Sequence, residues 1–110
     1  MSGNTADTNV VEMVTFKLLA GTTEQDFLAA NEGIQQFVKQ QPGFLYRSLC
    51  KLDGEEEWTD IVYWQNLAAA ETAGKDFMES PLSKPALSCI DPDSVTMRHL
   101  PVVTNSCSIE

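Results

Sequence analysis

One hundred and ten residues make one domain and leave no room for a second. Sixteen acidic against seven basic side chains give a formal charge of −9. That balance excludes nucleic acid and an anionic membrane surface as partners, because both require clustered Lys and Arg. Hydrophobic residues make up 43% of the chain, enough for a core, yet no apolar run approaches the ~20 residues that span a bilayer.

The opening MSGNTADT (residues 1–8) has neither the basic start nor the apolar stretch of a signal peptide, and reads as a loose lead into a domain over residues 9–103. VVEMVTFKLL (10–19) is rich in β-branched and large apolar residues and stops at Gly21, which predicts a strand. In the segment that follows, Asp26 stands three positions after Thr23, a capping-box variant at the start of a helix. Phe27, Ala30, Ile34, Phe37 and Val38 recur at helical spacing until Pro42-Gly43 ends the run.

FLYRSLCKLD and EWTDIVYWQ flank an Asp53-Gly54 turn and predict a hairpin over residues 44–65. The acidic run within that turn, DGEEEW, reads as solvated rather than as a metal site. Asn66 is placed to cap a second helix carrying Ala70, Ala73 and Phe77 on one stripe. Pro81 and Pro85 break the next stretch into short helical turns around Leu82 and Leu87. IDPDS then turns the chain into a fourth strand, VTMRHLPVV, and residues 104–110 form a polar tail.

The order β-α-β-β-α-β is that of an α+β, ferredoxin-like antiparallel sheet with both helices on one face and strand order 4-1-3-2. An open sheet face in water calls for polar alternation, and these strands lack it. Val10, Val14 and Phe16 share one face of the first strand while Val11 and Met13 take the other. In the third strand Trp58, Val62 and Trp64 oppose Ile61 and Tyr63. Apolar groups on both faces predict a homodimer, with a second copy covering the open sheet. Glu12, Arg47, Asp60 and Arg98 are isolated charges within these strands, and pairing of all four on the dimer side is the expectation to check.

Cys50, Cys89 and Cys107 are an odd number without CxxC spacing, which argues against a disulfide framework and a zinc site. They suit a reducing cytoplasm, with Cys50 as a small core residue in its strand.

Taken together, VTFKLLAGTTEQDF, PGFLYRSL, DIVYWQNLAAAETAGKDFMESP and IDPDSVTMRHL resemble the dimeric α/β-barrel superfamily, and within it the antibiotic-biosynthesis-monooxygenase-like branch. The resemblance implies a barrel formed by two sheets across a dimer and a ligand pocket between sheet and helices. It spans oxygenases that need no cofactor, haem-degrading enzymes, isomerases and chlorite dismutases, so fold alone does not choose among them. The haem-degrading pattern of Asn, Trp and His falls here on Val14, on Ala73 or Phe77, and near Leu87, and all three positions fail it. No histidine precedes His99 to bind haem iron as chlorite dismutases do.

A cofactor-independent oxygenase of quinol-like molecules needs a base, and a neutral imidazole suits it. His99 is therefore the candidate catalytic residue, with Tyr46 or Tyr63 as a hydrogen-bond donor and Arg98 as a holder of anionic substrate. Trp64, Met97, Phe37 and Phe77 complete the candidate lining for a small aromatic ligand, and no metal or cofactor is expected. Tyr63 and Trp64 are adjacent in a strand and must face opposite ways, so the aromatic run cannot be one pocket wall. Large aromatics in a small sheet serve the core first. A non-catalytic binding or structural protein of the same fold, and more weakly an isomerase, are the competing readings.

Overall fold

In a computed structural model the described residues are 8–106, so the expected loose start and Cys107 lie outside them. Strand β1 (Val10–Phe16) is followed by helix α1 (Glu24–Lys39), strands β2 (Phe44–Lys51) and β3 (Trp58–Trp64), helix α2 (Leu67–Glu79), the short helix α3 (Lys84–Leu87), a 3-10 turn (Pro92–Ser94) and strand β4 (Thr96–Pro101). The sheet is antiparallel throughout in the order β2-β3-β1-β4, the expected 4-1-3-2 order read from the other edge.

Local chemistry sets the helix starts. Thr23 Oγ1 accepts from the Asp26 amide while the Asp26 carboxylate accepts from the Thr23 amide, which satisfies two of the free donors at the head of α1. Asn66 Oδ1 accepts from the Ala69 amide and does the same for α2.

Residues directly opposite in an antiparallel ladder share a face. Val10 opposes Trp64, Glu12 opposes Val62, Val14 opposes Asp60 and Phe16 opposes Trp58, so these eight look toward the helices. Phe16 lies parallel to Trp58 with ring centres 6.4 Å apart, and Phe27 of α1 meets both rings edge-on at 5.4 and 5.0 Å. Ile34, Phe37, Val38 and Ala86 close this larger cluster. A second, smaller one gathers Val62 and Trp64 under Ala70 and Ala73 of α2. Small alanines there let the helix lie close to the sheet.

The observed strands are shorter than the apolar runs that predict them. β1 stops at Phe16, and beyond it Leu18 pairs only through an isolated bridge to Ile90. The 3-10 turn supplies the reason: Ser94 Oγ accepts from the Lys17 amide, so a loop replaces the neighbouring strand as partner. β2 contains a bulge between Phe44 and Tyr46 that leaves one extra residue unopposed. β4 ends at Pro101, after which the Val102 amide donates to the Asn9 carbonyl.

Two expectations about faces are corrected. Glu12, Asp60 and Arg47 all lie on the helix side, and only Arg98 lies on the open side, so the four charges do not meet at a dimer face. Cys50 is exposed on the open face rather than packed in the core, because it opposes Thr59. Val11, Met13, Ile61, Tyr63, Tyr46 and Leu100 share that face.

Candidate functional site

The helix side of a sheet in a domain this small ought to be wholly apolar, and here a polar row interrupts it. Arg47 of β2, Val62 of β3, Glu12 of β1 and His99 of β4 are successive partners across all four strands. Charged groups enclosed by protein persist only when paired and hydrogen-bonded, and Arg47 and Glu12 both are.

At one end Arg47 Nε and Nη2 donate to Asp60 Oδ1 and Oδ2 at 2.9 and 2.8 Å, a bidentate clamp. Arg47 Nη1 donates to Gln35 Oε1 of α1, which ties the helix to the pair. The Arg47 side chain is 3% exposed and that of Asp60 15%. Asn31, one turn earlier on α1, has a buried Oδ1 without a partner among the described residues.

At the other end Glu12 accepts twice. Trp64 Nε1 donates to its Oε1 at 3.0 Å, and His99 Nε2 lies 3.3 Å from its Oε2. The His99 side chain keeps 23% of its surface, against 12% for Glu12. Its Nδ1 makes no hydrogen bond among the described residues, and the ring as a whole stays partly exposed on edge strand β4. An imidazole fixed through one nitrogen and open at the other can take a proton from a bound hydroxyl.

The remaining candidates separate by face. Trp64 stands beside His99's partner but is consumed by the core and by Glu12. Met97 shares the side of His99 and is exposed. Phe37 and Phe77 pack edge-to-face at 5.4 Å within the larger core cluster. Tyr46 and Tyr63 pair with each other on the open face at 6.4 Å, so neither can donate to a ligand held by His99 on the helix side. Arg98 is also on that open face, where its Nη2 meets the Met13 sulfur at 3.8 Å, and cannot act with His99 in one pocket.

The site residues that the sequence reading missed are Glu12, Asp60 and Gln35. Glu12 carries a signal: a lone carboxylate between Val10 and Val14 on the face that builds the core.

Two open surface depressions lie elsewhere. One of about 290 Å³ sits at the head of α2 against Gln41, Gly43, Asn66 and Thr72. The other, about 310 Å³, lies between Leu19, Glu24, Lys51 and Glu56. Among the described residues no group of His, Cys, Asp and Glu is placed to hold a metal ion, and no helix is long and apolar enough to cross a membrane.

A four-stranded sheet of this order with helices on one face has the ferredoxin-like fold of the antibiotic-biosynthesis-monooxygenase-like proteins. Among solved structures, the chain is similar to SnoaB, a cofactor-independent oxygenase from Streptomyces nogalater, with a TM-score of 0.64 and 16% identity over 94% of this chain and 99% of that one. A protein from Bordetella bronchiseptica assigned to the antibiotic biosynthesis monooxygenases gives a TM-score of 0.70 at 18% identity, covering 88% and 99% of the two chains. A conserved protein from Methanosarcina mazei gives 0.66 at 11% identity, covering 88% and 95%. Likeness at such identities establishes the fold, and the activity has to be argued from residues. No protein-family model matches the sequence. A search of the curated proteins finds no match either.

Proposed function

We propose that the chain is a cofactor-independent monooxygenase of small phenolic, quinol-like molecules, with His99 as the base, working as a cytoplasmic homodimer. The observation that carries the reading is the one imidazole of the chain, on the helix side of the sheet, held by a carboxylate through Nε2 and with no partner at Nδ1 among the described residues. The fold shared with an oxygenase of this type supports it.

A phenol gives up an electron readily only as its anion. His99 takes the hydroxyl proton, the phenolate passes an electron to dioxygen, and the resulting pair joins at a ring carbon bearing hydrogen. The peroxide then breaks its O–O bond. One oxygen stays on carbon as the quinone carbonyl and the other leaves as water, so one dioxygen is consumed per substrate. What the protein supplies is proton removal and an oriented site.

Oxygen uptake with a panel of hydroquinones and anthrones tests this. His99→Ala should lower the rate roughly 10²- to 10⁴-fold, the usual worth of a positioned base. Equal rates for the two proteins would remove His99 from the chemistry. No uptake from any substrate would leave a non-catalytic binding protein as the reading.

The dimer rests on the open sheet face, where Val11, Met13, Ile61 and Tyr63 have no described helix over them. Light scattering should give twice the chain mass for the native protein and the single mass for Ile61→Asp. A native protein of single mass at tens of micromolar would end this part of the proposal.

A further inference from the structure

Glu12 and Trp64 form one device with His99, and the direction of each hydrogen bond is forced. An indole N–H can only donate, and an ionised carboxylate can only accept. Trp64 Nε1 therefore fills Glu12 Oε1, at 3.0 Å, and leaves Oε2 as an acceptor facing His99 Nε2 at 3.3 Å. The imidazole nitrogen at that contact has to carry its proton. In the neutral ring the lone pair then sits on Nδ1, the nitrogen that opens away from the carboxylate. The three residues come from three adjacent strands, β3, β1 and β4, so the sheet ladder itself sets their spacing.

We propose that Glu12 is the positioning residue of His99 and, by accepting from Nε2, determines which imidazole nitrogen is the base, with Trp64 holding the carboxylate in place. The proposal rests on the reading of His99 as base, and its geometric half is measurable without any substrate.

Glu12→Gln is the informative change because it keeps shape and removes a single acceptor. Trp64 still requires an acceptor, so the new amide turns its oxygen to the indole and its NH2 to His99. Nε2 must then accept, and the proton moves to Nδ1. The substitution inverts the tautomer and takes the lone pair from the side where substrate approaches. Adding Trp64→Phe releases the amide to turn its oxygen toward His99, which restores the original tautomer.

The chain holds one histidine, so a tag-free, ¹⁵N-labelled protein shows one set of imidazole nitrogen signals. In buffer alkaline enough to keep the ring neutral, the native protein should show N–H at Nε2 and a lone pair at Nδ1. Glu12→Gln should show the reverse, and Glu12→Gln with Trp64→Phe should return to the native pattern. With an oxidised substrate in hand, Glu12→Gln should lower kcat roughly ten- to hundredfold with KM unchanged, the scale of one charge-assisted hydrogen bond. A native ring protonated at Nδ1, or a Glu12→Gln ring still protonated at Nε2, overturns the proposal. An inverted tautomer with unchanged kcat overturns the positioning role. If no substrate is oxidised by the native protein, the oxygenase reading falls while the nitrogen spectra still decide the tautomer.

Discussion

Asp60→Ala is expected to cost about 3 kcal/mol of folding free energy, which few single substitutions reach in a domain of this size. The cause is what remains after the change. The Arg47 guanidinium is almost fully enclosed and two of its nitrogens donate to Asp60. Without the carboxylate, a buried positive charge keeps only the neutral Gln35 oxygen as an acceptor. The figure sits at the low end of the range for a broken buried pair because Asp60 retains some contact with water. Urea unfolding followed by tryptophan fluorescence checks it. Replacing both partners, Arg47→Met with Asp60→Leu, should recover most of the loss, because an apolar pair leaves no charge to solvate. A double variant no better than Asp60→Ala would show that the loss comes from packing and not from the stranded charge.

Gly33→Ala is the second large effect, and here the helix rule and the tertiary structure give opposite signs. Inside a helix, alanine is favoured over glycine by about 0.5–1 kcal/mol. At Gly33 of α1, however, a Cβ would lie 2.1 Å from the Leu82 carbonyl oxygen, which is backbone and cannot swing aside. Either α1 lifts from the segment before α3 or the core under Ala86 opens. Overpacking of this kind costs about 1–3 kcal/mol, and a clash with backbone belongs at the upper end, so net of the helix gain the loss should be about 2 kcal/mol. Gly74 of α2 is the internal control, since a Cβ there meets nothing within 4 Å. Gly74→Ala should raise stability by about 0.5–1 kcal/mol. Thermal unfolding of the two variants side by side tests both, and a stabilised Gly33→Ala would show that α1 does not approach Leu82 so closely.

How far the sequence reveals this molecule depends on the range of the force involved. Helix α1 is written in Thr23, Asp26 and the spacing of Phe27, Ile34 and Phe37, all within a few residues of one another. The hairpin and the cap at Asn66 are equally local, and the strand order follows from the element order. Faces are another matter. Alternation shows that Glu12 shares a side with Val10 and Val14, and the register with β3 and β4 is what brings Trp64 and His99 to it. Cys50 sits in a strand that alternation from Phe44 would turn inward and yet lies on the open side, because β2 carries a bulge that alternation cannot anticipate. Gly33 has no local mark at all, since its requirement comes from Leu82, forty-nine positions away by numbering. His99 is conspicuous as the lone imidazole, but its tyrosine partners were expected on a side that the ladder denies them.

The bulge in β2 bears on how such a site can arise and be lost. Counted from Phe44 with strict alternation, Arg47 would oppose Ile61 on the open side and Asp60 would stand alone beneath α1. The additional residue advances the strand by one, so that Arg47 opposes Val62 and reaches its carboxylate. Substitutions can alter what this strand carries, but the bulge decides where it is delivered. A lineage that dropped the extra residue would only straighten the strand and keep Arg47 opposite Val62. One that kept every residue but paired them without the bulge would exchange the two sides of β2 from that point onward. Arginine would pass to the outer surface and Tyr46 inward, with every residue type unchanged. When related chains are compared at this fold, whether the second strand bulges here thus says more about altered chemistry than any single replacement nearby.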